Sequence, residues 1–365
     1  LIDIGRSNNF DLLRLFAALE VVYMHTVHHL ELWPGPPWLF HALQSLPGVP
    51  IFFIVSGFLV TDSYLRSSTA SGYAVKRALR IYPGLIVNIA IMELIVAATG
   101  GFDPLLDAIN YTGFFMAYAA TAAMGWAGYF FDAPYISAGA FQHYPSGVLW
   151  TLTVELTFYL TLPLFLETWR RDRNVGVFYI AIASVLSLFL SLRFYGSPHT
   201  FVTFSVGPYF WIFVLGIVAR LYWSTVRRVV EGCALPWLAA HFLLLAISMW
   251  LGESGHIYFE NPTTITVLRA IVLAGTTLSI AFTHPRPALL RGYDVSYGVY
   301  LYHMLVIYTM IYFEWTGRMR FWPVVLAATI ALGFLSFVLI ERPAIRLRRR
   351  VRMTVSDRAE MIPAK

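Results

Sequence analysis

Windows of about 20 mainly apolar residues, the length a helix needs to cross a bilayer, recur along this chain with short polar breaks between them. They fall at about 10–30, 46–65, 81–99, 105–124, 146–167, 175–195, 200–222, 234–251, 262–283, 295–314 and 321–341. No internal repeat or Gly/Ser-rich linker interrupts the series, and no stretch is long and polar enough to form a second domain. The pattern predicts an all-α, polytopic bundle.

Basic residues in short loops are retained on the cytoplasmic side of a membrane, so their positions test the count. The basic loops are Arg66 to Arg80, Arg170-Arg171-Asp172-Arg173, Arg220 to Arg228, Arg286 to Arg291 and the run Arg342 to Arg352. If every window crossed, the later basic loops would face outward and the Lys- and Arg-free loop 125–145 would face inward. Treating 105–124 as a re-entrant or interfacial element inside an outer excursion of 100–145 puts all five basic loops on one side. About ten spanning helices with both termini cytoplasmic are therefore expected. They form a transmembrane domain, 1–345, followed by a basic cytoplasmic tail, 346–365. The tail lies against the inner leaflet, where each basic charge gains roughly 1 kcal/mol from anionic lipid.

Composition agrees: 58% of the residues are hydrophobic and 13% charged, which excludes an ordinary water-soluble fold. No nucleic-acid partner is expected; membrane lipids are. Cys233 is the single cysteine, so intrachain disulfides and cysteine-built metal sites are excluded. The first window carries Asp11, Arg14 and Glu20, unlike a cleavable signal peptide, so this helix is expected to be retained.

Ionisable residues inside such windows are costly, at about 2.5–3.5 kcal/mol each on insertion scales, and usually serve a function. Arg14 and His25 are eleven residues apart, about 1100° of helical rotation, so they share a face with His25 about 16 Å beyond Arg14. Glu155 and His303 sit in the middle of their windows, and Glu20, Glu93 and Arg269 complete the buried set. Glu20, Glu93 and Arg269 suit helix pairing as well as they suit a site. Arg77 and Arg80 are one helical turn apart, a spacing that suits a phosphate or pyrophosphate, although a topology anchor explains them equally well. Ser56-Gly57-Phe58 breaks an apolar run with small residues, as close helix approach or a narrow channel would require. His25, His28 and His29 can be read as a metal cluster, but only the 25/28 and 25/29 pairs share a side of the helix, and no metal is expected. There is no Walker-type loop or dinucleotide glycine fingerprint.

Six motifs occur in order between about residues 9 and 343. They are Arg14 with His25, Phe52 to Phe58 around Ser56-Gly57, Arg77 with Arg80 and Pro83, Trp150 with Glu155 and Tyr159, Ser296-Tyr297 with Tyr300 and His303, and Glu341 with Pro343. Together they resemble the acyltransferase-3 family of bacterial membrane O-acyltransferases. The resemblance implies transfer of an acyl group, usually acetyl from cytoplasmic acetyl-coenzyme A, to a hydroxyl of a surface carbohydrate such as O-antigen or exopolysaccharide. It implies a bacterial inner-membrane location and an acceptor that arrives lipid-linked or as finished polymer. His25 matches the family's essential histidine and Arg77 and Arg80 its coenzyme-holding arginines, and Arg14, which matches its first-helix arginine, is expected to bind the coenzyme with them. Tyr300, His303, Arg269 and Ser56 are expected to serve substrate or secondary roles. Many members continue into an SGNH-type domain, and this chain resembles a one-part member.

Those residues predict a tunnel, with coenzyme phosphates on Arg77 and Arg80 and His25 as the base that takes a proton from the acceptor hydroxyl. Glu155 is expected to orient the His25 ring, as a carboxylate does in a catalytic triad. A covalent acyl-enzyme on His25 or Tyr300 is the competing chemistry. A secondary transporter is the competing class, since intramembrane Arg, Glu and His also mark transport pathways; the absence of an inverted repeat counts against it. A sensor that has lost catalysis is a third reading.

Overall fold

Each of the ten windows retained by the charge pattern forms a helix. The computed structural model describes residues 8–98, 148–194, 202, 205–252, 264–284 and 293–347. In chain order the helices are α1 Phe10–His29, α2 Pro37–Ser45, α3 Gly48–Leu65, α4 Ala70–Ala98, α5 Trp150–Arg171 and α6 Arg173–Phe194. Then follow a 3₁₀ turn at Gly207–Tyr209, α7 Phe210–Leu221, α8 Trp223–Val230, α9 Ala234–Trp250, α10 Thr264–Phe282, α11 Ser296–Tyr312 and α12 Phe321–Ser336, which continues as a π turn, Phe337–Glu341. No strand occurs among the described residues. The 105–124 element, the Arg286–Arg291 loop, the Glu93 side chain and nearly all of the 346–365 tail lie outside them.

The count of about ten spans is not reached by length and apolarity alone. Among the described residues four helical stretches pass that test: Pro37–Leu65, Arg173–Phe194, Ile265–Phe282 and Phe321–Leu347. A fifth passes if Gly207–Leu221 and Trp223–Val230, which meet at 100°, count as one broken span. The shortfall has physical causes. The α1 helix carries Asp11, Arg14 and Glu20 within 20 residues, α5 carries Glu155 and several threonines, and α9 and α11 are each 17 residues long.

Burial separates the helices into two sets. Only 17% of the Arg173–Phe194 window is buried, against 67% of the Pro37–Leu65 window. Exposed Phe178, Val185, Leu186 and Phe189 give α6 an apolar outer face, which in water would be an aggregation surface and in a bilayer meets acyl chains. The inner helices approach closely through glycine. A Cβ on Gly57 would lie 2.1 Å from the Phe213 carbonyl oxygen, and one on Gly216 would lie 2.1 Å from that of Ile54. The α3–α7 crossing therefore requires both glycines, the small-residue contact expected where apolar lipid offers helices no hydrophobic drive to associate. Glu20, whose role the sequence left open, accepts the Gly48 backbone N–H at 2.7 Å and so completes the start of α3.

Side-chain contacts collect Arg14, Arg66, Arg77, Arg80, Arg170 and Arg220 at one end of the bundle, where α1 begins and α3, α5, α7 and α12 end. The last turn of α1, with His25, His28 and His29, lies at the opposite end, near the α11–α12 connection, where Gly317 N–H donates to the Leu30 carbonyl.

Candidate active site

At the arginine end, Arg14 from α1 and Arg80 from α4 both donate to Asp294 Oδ2 at 2.5 Å. Arg80 also reaches Glu341 Oε2 at 3.3 Å. Asp294 immediately precedes α11, and its other oxygen accepts the Ser296 hydroxyl at 2.5 Å. Burial pushes this carboxyl up, but Arg14 and Arg80 outweigh burial and hold it down to about 2. Glu341 is fully buried because the π turn at the end of α12 brings it inward, where Ser336 Oγ donates to it at 3.1 Å; single π turns inside helices often mark functional positions. Arg80 also stacks 5.6 Å from the centre of the Tyr297 ring.

Arg77, one turn before Arg80, is in a different state. Its Nη2 reaches Ser63 Oγ at 3.5 Å, its guanidinium lies 5.6 Å from the Tyr159 ring centre, and its buried Nε has no acceptor. Of the two arginines expected to hold phosphates, Arg80 is already neutralised by carboxylates and Arg77 is not. A buried guanidinium N–H without an acceptor fits an incoming anion.

Between the ends lies a cavity of about 50 Å³ with Arg14, Ser296 and Tyr297 on one side and Phe52, Thr151 and Tyr300 on the other. Glu155 lines it. Its carboxylate accepts the Ser56 hydroxyl at 2.8 Å and the Tyr159 hydroxyl through a short hydrogen bond. Ser56-Gly57 thus serves two purposes, since Gly57 permits the crossing and Ser56 anchors Glu155. The expected Glu155–His25 pair does not form among the described contacts, because α5 presents Glu155 to α3 instead. Tyr300 bonds Thr151 Oγ1 at 2.7 Å and packs edge-on against Phe52.

At the histidine end, His25 is half-buried and His303 fully buried, and their rings meet edge to face at 5.2 Å. His303 Nδ1 lies 2.6 Å from the Tyr300 carbonyl oxygen, which can only accept. Nδ1 therefore carries the hydrogen, and buried Nε2 keeps a lone pair with no partner. His25 Nδ1 lies 3.1 Å from the Met304 sulfur, a weak acceptor, which favours a hydrogen on Nδ1 and a basic lone pair on Nε2. No carboxylate is bonded to either ring among the described residues. His29 packs 5.6 Å from His25. No group of three His, Cys, Asp or Glu side chains among the described residues is arranged to hold a metal ion.

Arg269 is buried on α10 beside His241, which in turn contacts Ser45, so the structure does not place it with His25. Asp294 was missed by sequence reasoning, and its only signal was being the carboxylate just before the Ser296-Tyr297 motif. Met304 was also missed; adjacency to His303 was its one clue.

An all-helical membrane architecture with a buried polar interior defines the class. The chain belongs to the acyltransferase-3 family: the model of that family, described as an acyltransferase domain, matches residues 7–341. It is 48% identical over 353 residues to nodulation protein 10 of Rhizobium leguminosarum bv. viciae, covering 94% of this chain and 95% of that protein. It is 26% identical to an O-acetyl transferase of Shigella phage Sf6, covering 91% and 93% of the two chains. A putative O-acetyltransferase of Staphylococcus aureus is 24% identical over 361 residues, with 91% of this chain matched to 56% of that longer protein. No solved structure gives a significant match. Family and relatives together support membrane O-acyltransferase activity.

Proposed function

We propose that this chain transfers an acetyl group from cytoplasmic acetyl-coenzyme A to a hydroxyl of a surface carbohydrate, with the reaction at His25. The observation that carries this is the His25–His303 pair, two imidazoles without carboxylate partners among the described residues, joined through Tyr300 to the cavity lined by Arg14. The relatives named as O-acetyltransferases support acetyl as the group transferred. The enzyme sits in the bacterial inner membrane with both termini cytoplasmic, so the arginine end faces the coenzyme and the histidine end faces the carbohydrate, lipid-linked or polymeric.

Arg77 holds a coenzyme phosphate with its unpartnered N–H, and Arg14 and Arg80 hold the mouth open through Asp294 rather than binding the donor with free charge. His25 Nε2 takes the hydroxyl proton while that oxygen bonds to the thioester carbonyl carbon. The carbon–sulfur bond then breaks, and the departing thiolate recovers the proton from His25. His303 and Met304 position the His25 ring, and Glu155 with Ser56 and Tyr159 shapes the cavity wall.

Replacing His25 with Ala and measuring acetylation of the native surface glycan by mass spectrometry tests the proposal. Abolished acetylation is expected, with acetyl-coenzyme A binding retained. Substantial remaining acetylation would remove His25 from the mechanism, and no coenzyme binding at millimolar ligand by the wild-type protein would favour a transporter.

A further inference from the structure

A second cavity, of about 530 Å³, opens at the arginine end between the α5–α6 turn and the bend between α7 and α8. It lies within the size range of ligand pockets. Its walls include Leu65, Trp169, Arg170, Arg173, Arg220 and Trp223, and none of these was given a part in the reaction above.

The arginines there differ in their partners. Arg220 and Arg66 share one carboxylate, Asp62, at 2.7 and 2.9 Å. Arg170 bonds Glu167 at 2.7 Å and reaches the carbonyls of Tyr64 and Leu65. Arg173 has no carboxylate partner among the described residues: its guanidinium lies 5.5 Å from the Trp169 ring centre, and neighbouring Asp172 is turned to cap α6 through the N–H groups of Asn174 and Val175. Arg173 is thus the guanidinium at this pocket whose charge no carboxylate among the described residues meets. At the first mouth, by contrast, Arg14 and Arg80 are matched by Asp294 and Glu341.

The turn beside the pocket is closely packed. Gly176 packs so tightly on Trp169 that a Cβ would sit 2.3 Å from the Trp169 Cα, so the α5–α6 turn requires glycine there. The buried Trp169 Nε1–H has no acceptor. Arginine forks in a cavity also lined by tryptophan match the chemistry of an organic phosphate. Arg170, at this pocket, and Arg77 flank the same last turn of α3, on Tyr64–Leu65 and on Ser63.

The geometry points to an organic-phosphate pocket here. If the proposed acetyl transfer is right, on which this assignment of occupant rests, it receives the nucleotide end of the donor, leaving Arg77 for the pyrophosphate. A phospholipid head group offers the same phosphate chemistry, so the test has two arms. Purified full-length protein is titrated with adenosine 3′,5′-bisphosphate by calorimetry and tryptophan fluorescence, and, separately, phosphatidylglycerol retained from nanodiscs is counted by native mass spectrometry. Arg173→Glu should weaken nucleotide binding by about tenfold or more, with Arg173→Lys intermediate, because a bidentate charged contact is lost. Trp169→Leu should abolish the fluorescence response. If Arg173→Glu leaves the nucleotide unchanged but releases phosphatidylglycerol, the pocket stands and its phosphate is lipid. If neither ligand responds to Arg173→Glu, the pocket proposal is overturned. His25→Ala leaves both arms unchanged, so failure of the transfer reaction and failure of this pocket are read separately.

Discussion

The two ends of the bundle solve the burial of polar groups in opposite ways. At the arginine end the charges around Asp294 are matched: one Asp294 oxygen serves both Arg14 and Arg80, and Glu341 completes the set. At the histidine end His25 and His303 face one another with a sulfur and a backbone carbonyl as partners and, among the described residues, no carboxylate. Groups that neutralise each other are committed to holding helices together, since α1, α4 and the start of α11 meet at Asp294 and the end of α12 joins them through Glu341 and Arg80. Groups left with a free lone pair remain available for chemistry. The comparison assigns structure to one end and reaction to the other, and it can be broken by substitutions that affect the wrong property.

The largest effect is expected at the reactive end. His25→Ala should lower acetyl transfer by about 10²- to 10⁴-fold, the usual contribution of a general base, while the thermal midpoint of the purified protein changes little because half-buried His25 holds no ion pair. A variant that is unfolded rather than inactive would erase the distinction between the ends.

Asp294→Asn should do the reverse. It leaves two guanidiniums without their shared anion, a loss of about 3–5 kcal/mol when one member of a buried pair is removed. Thermal unfolding in detergent reads this directly. The pH dependence has a definite sign: the folded pKa, about 2, is depressed from the ordinary 3.8, so the carboxylate's contribution is complete above about pH 4 and fades as pH falls towards the folded value. The stability gap between wild type and Asp294→Asn should narrow over that window. A gap that widens on acidification would mean that Asp294 is not the anion both arginines rely on.

Much of this division was visible in the chain before any coordinates. The Arg14–His25 spacing put a charge and an imidazole on one face of α1, and the charge pattern gathered the basic loops at one end. Ser56-Gly57 suggested close approach, which Gly57 and Gly216 provide. What stayed hidden depended on contacts between distant residues. Asp294 meets Arg14 across 280 positions and Arg80 across 214, and no local periodicity records such partners. Glu155 was legible as an intramembrane carboxylate, but its partner is decided by which way α5 turns. The 100° bend between α7 and α8, and the π turn that carries Glu341 inward, are departures from helical periodicity that an apolar window averages away.

Glu341→Gln sharpens the boundary between the ends. It removes charge from the weaker of Arg80's two contacts while keeping an acceptor, so a smaller loss is expected, about 1–3 kcal/mol. Transfer should fall only as far as the folded fraction does; a larger drop, with stability intact, would place Glu341 in the reaction.

The smallest effect tests how the reactive end is held. Met304 is buried, and its sulfur is the contact that favours the hydrogen on His25 Nδ1. Met304→Leu keeps the volume, so stability should change by less than about 1.5 kcal/mol. It removes the acceptor, however, and His25 then loses the contact that leaves its Nε2 lone pair free. A fall in kcat of a few fold at unchanged KM is expected, because donor and acceptor binding do not involve this sulfur. Unchanged kcat would shift the positioning of His25 to the neighbouring rings of His303 and His29, and a changed KM alone would mean that Met304 lines the acceptor's path instead.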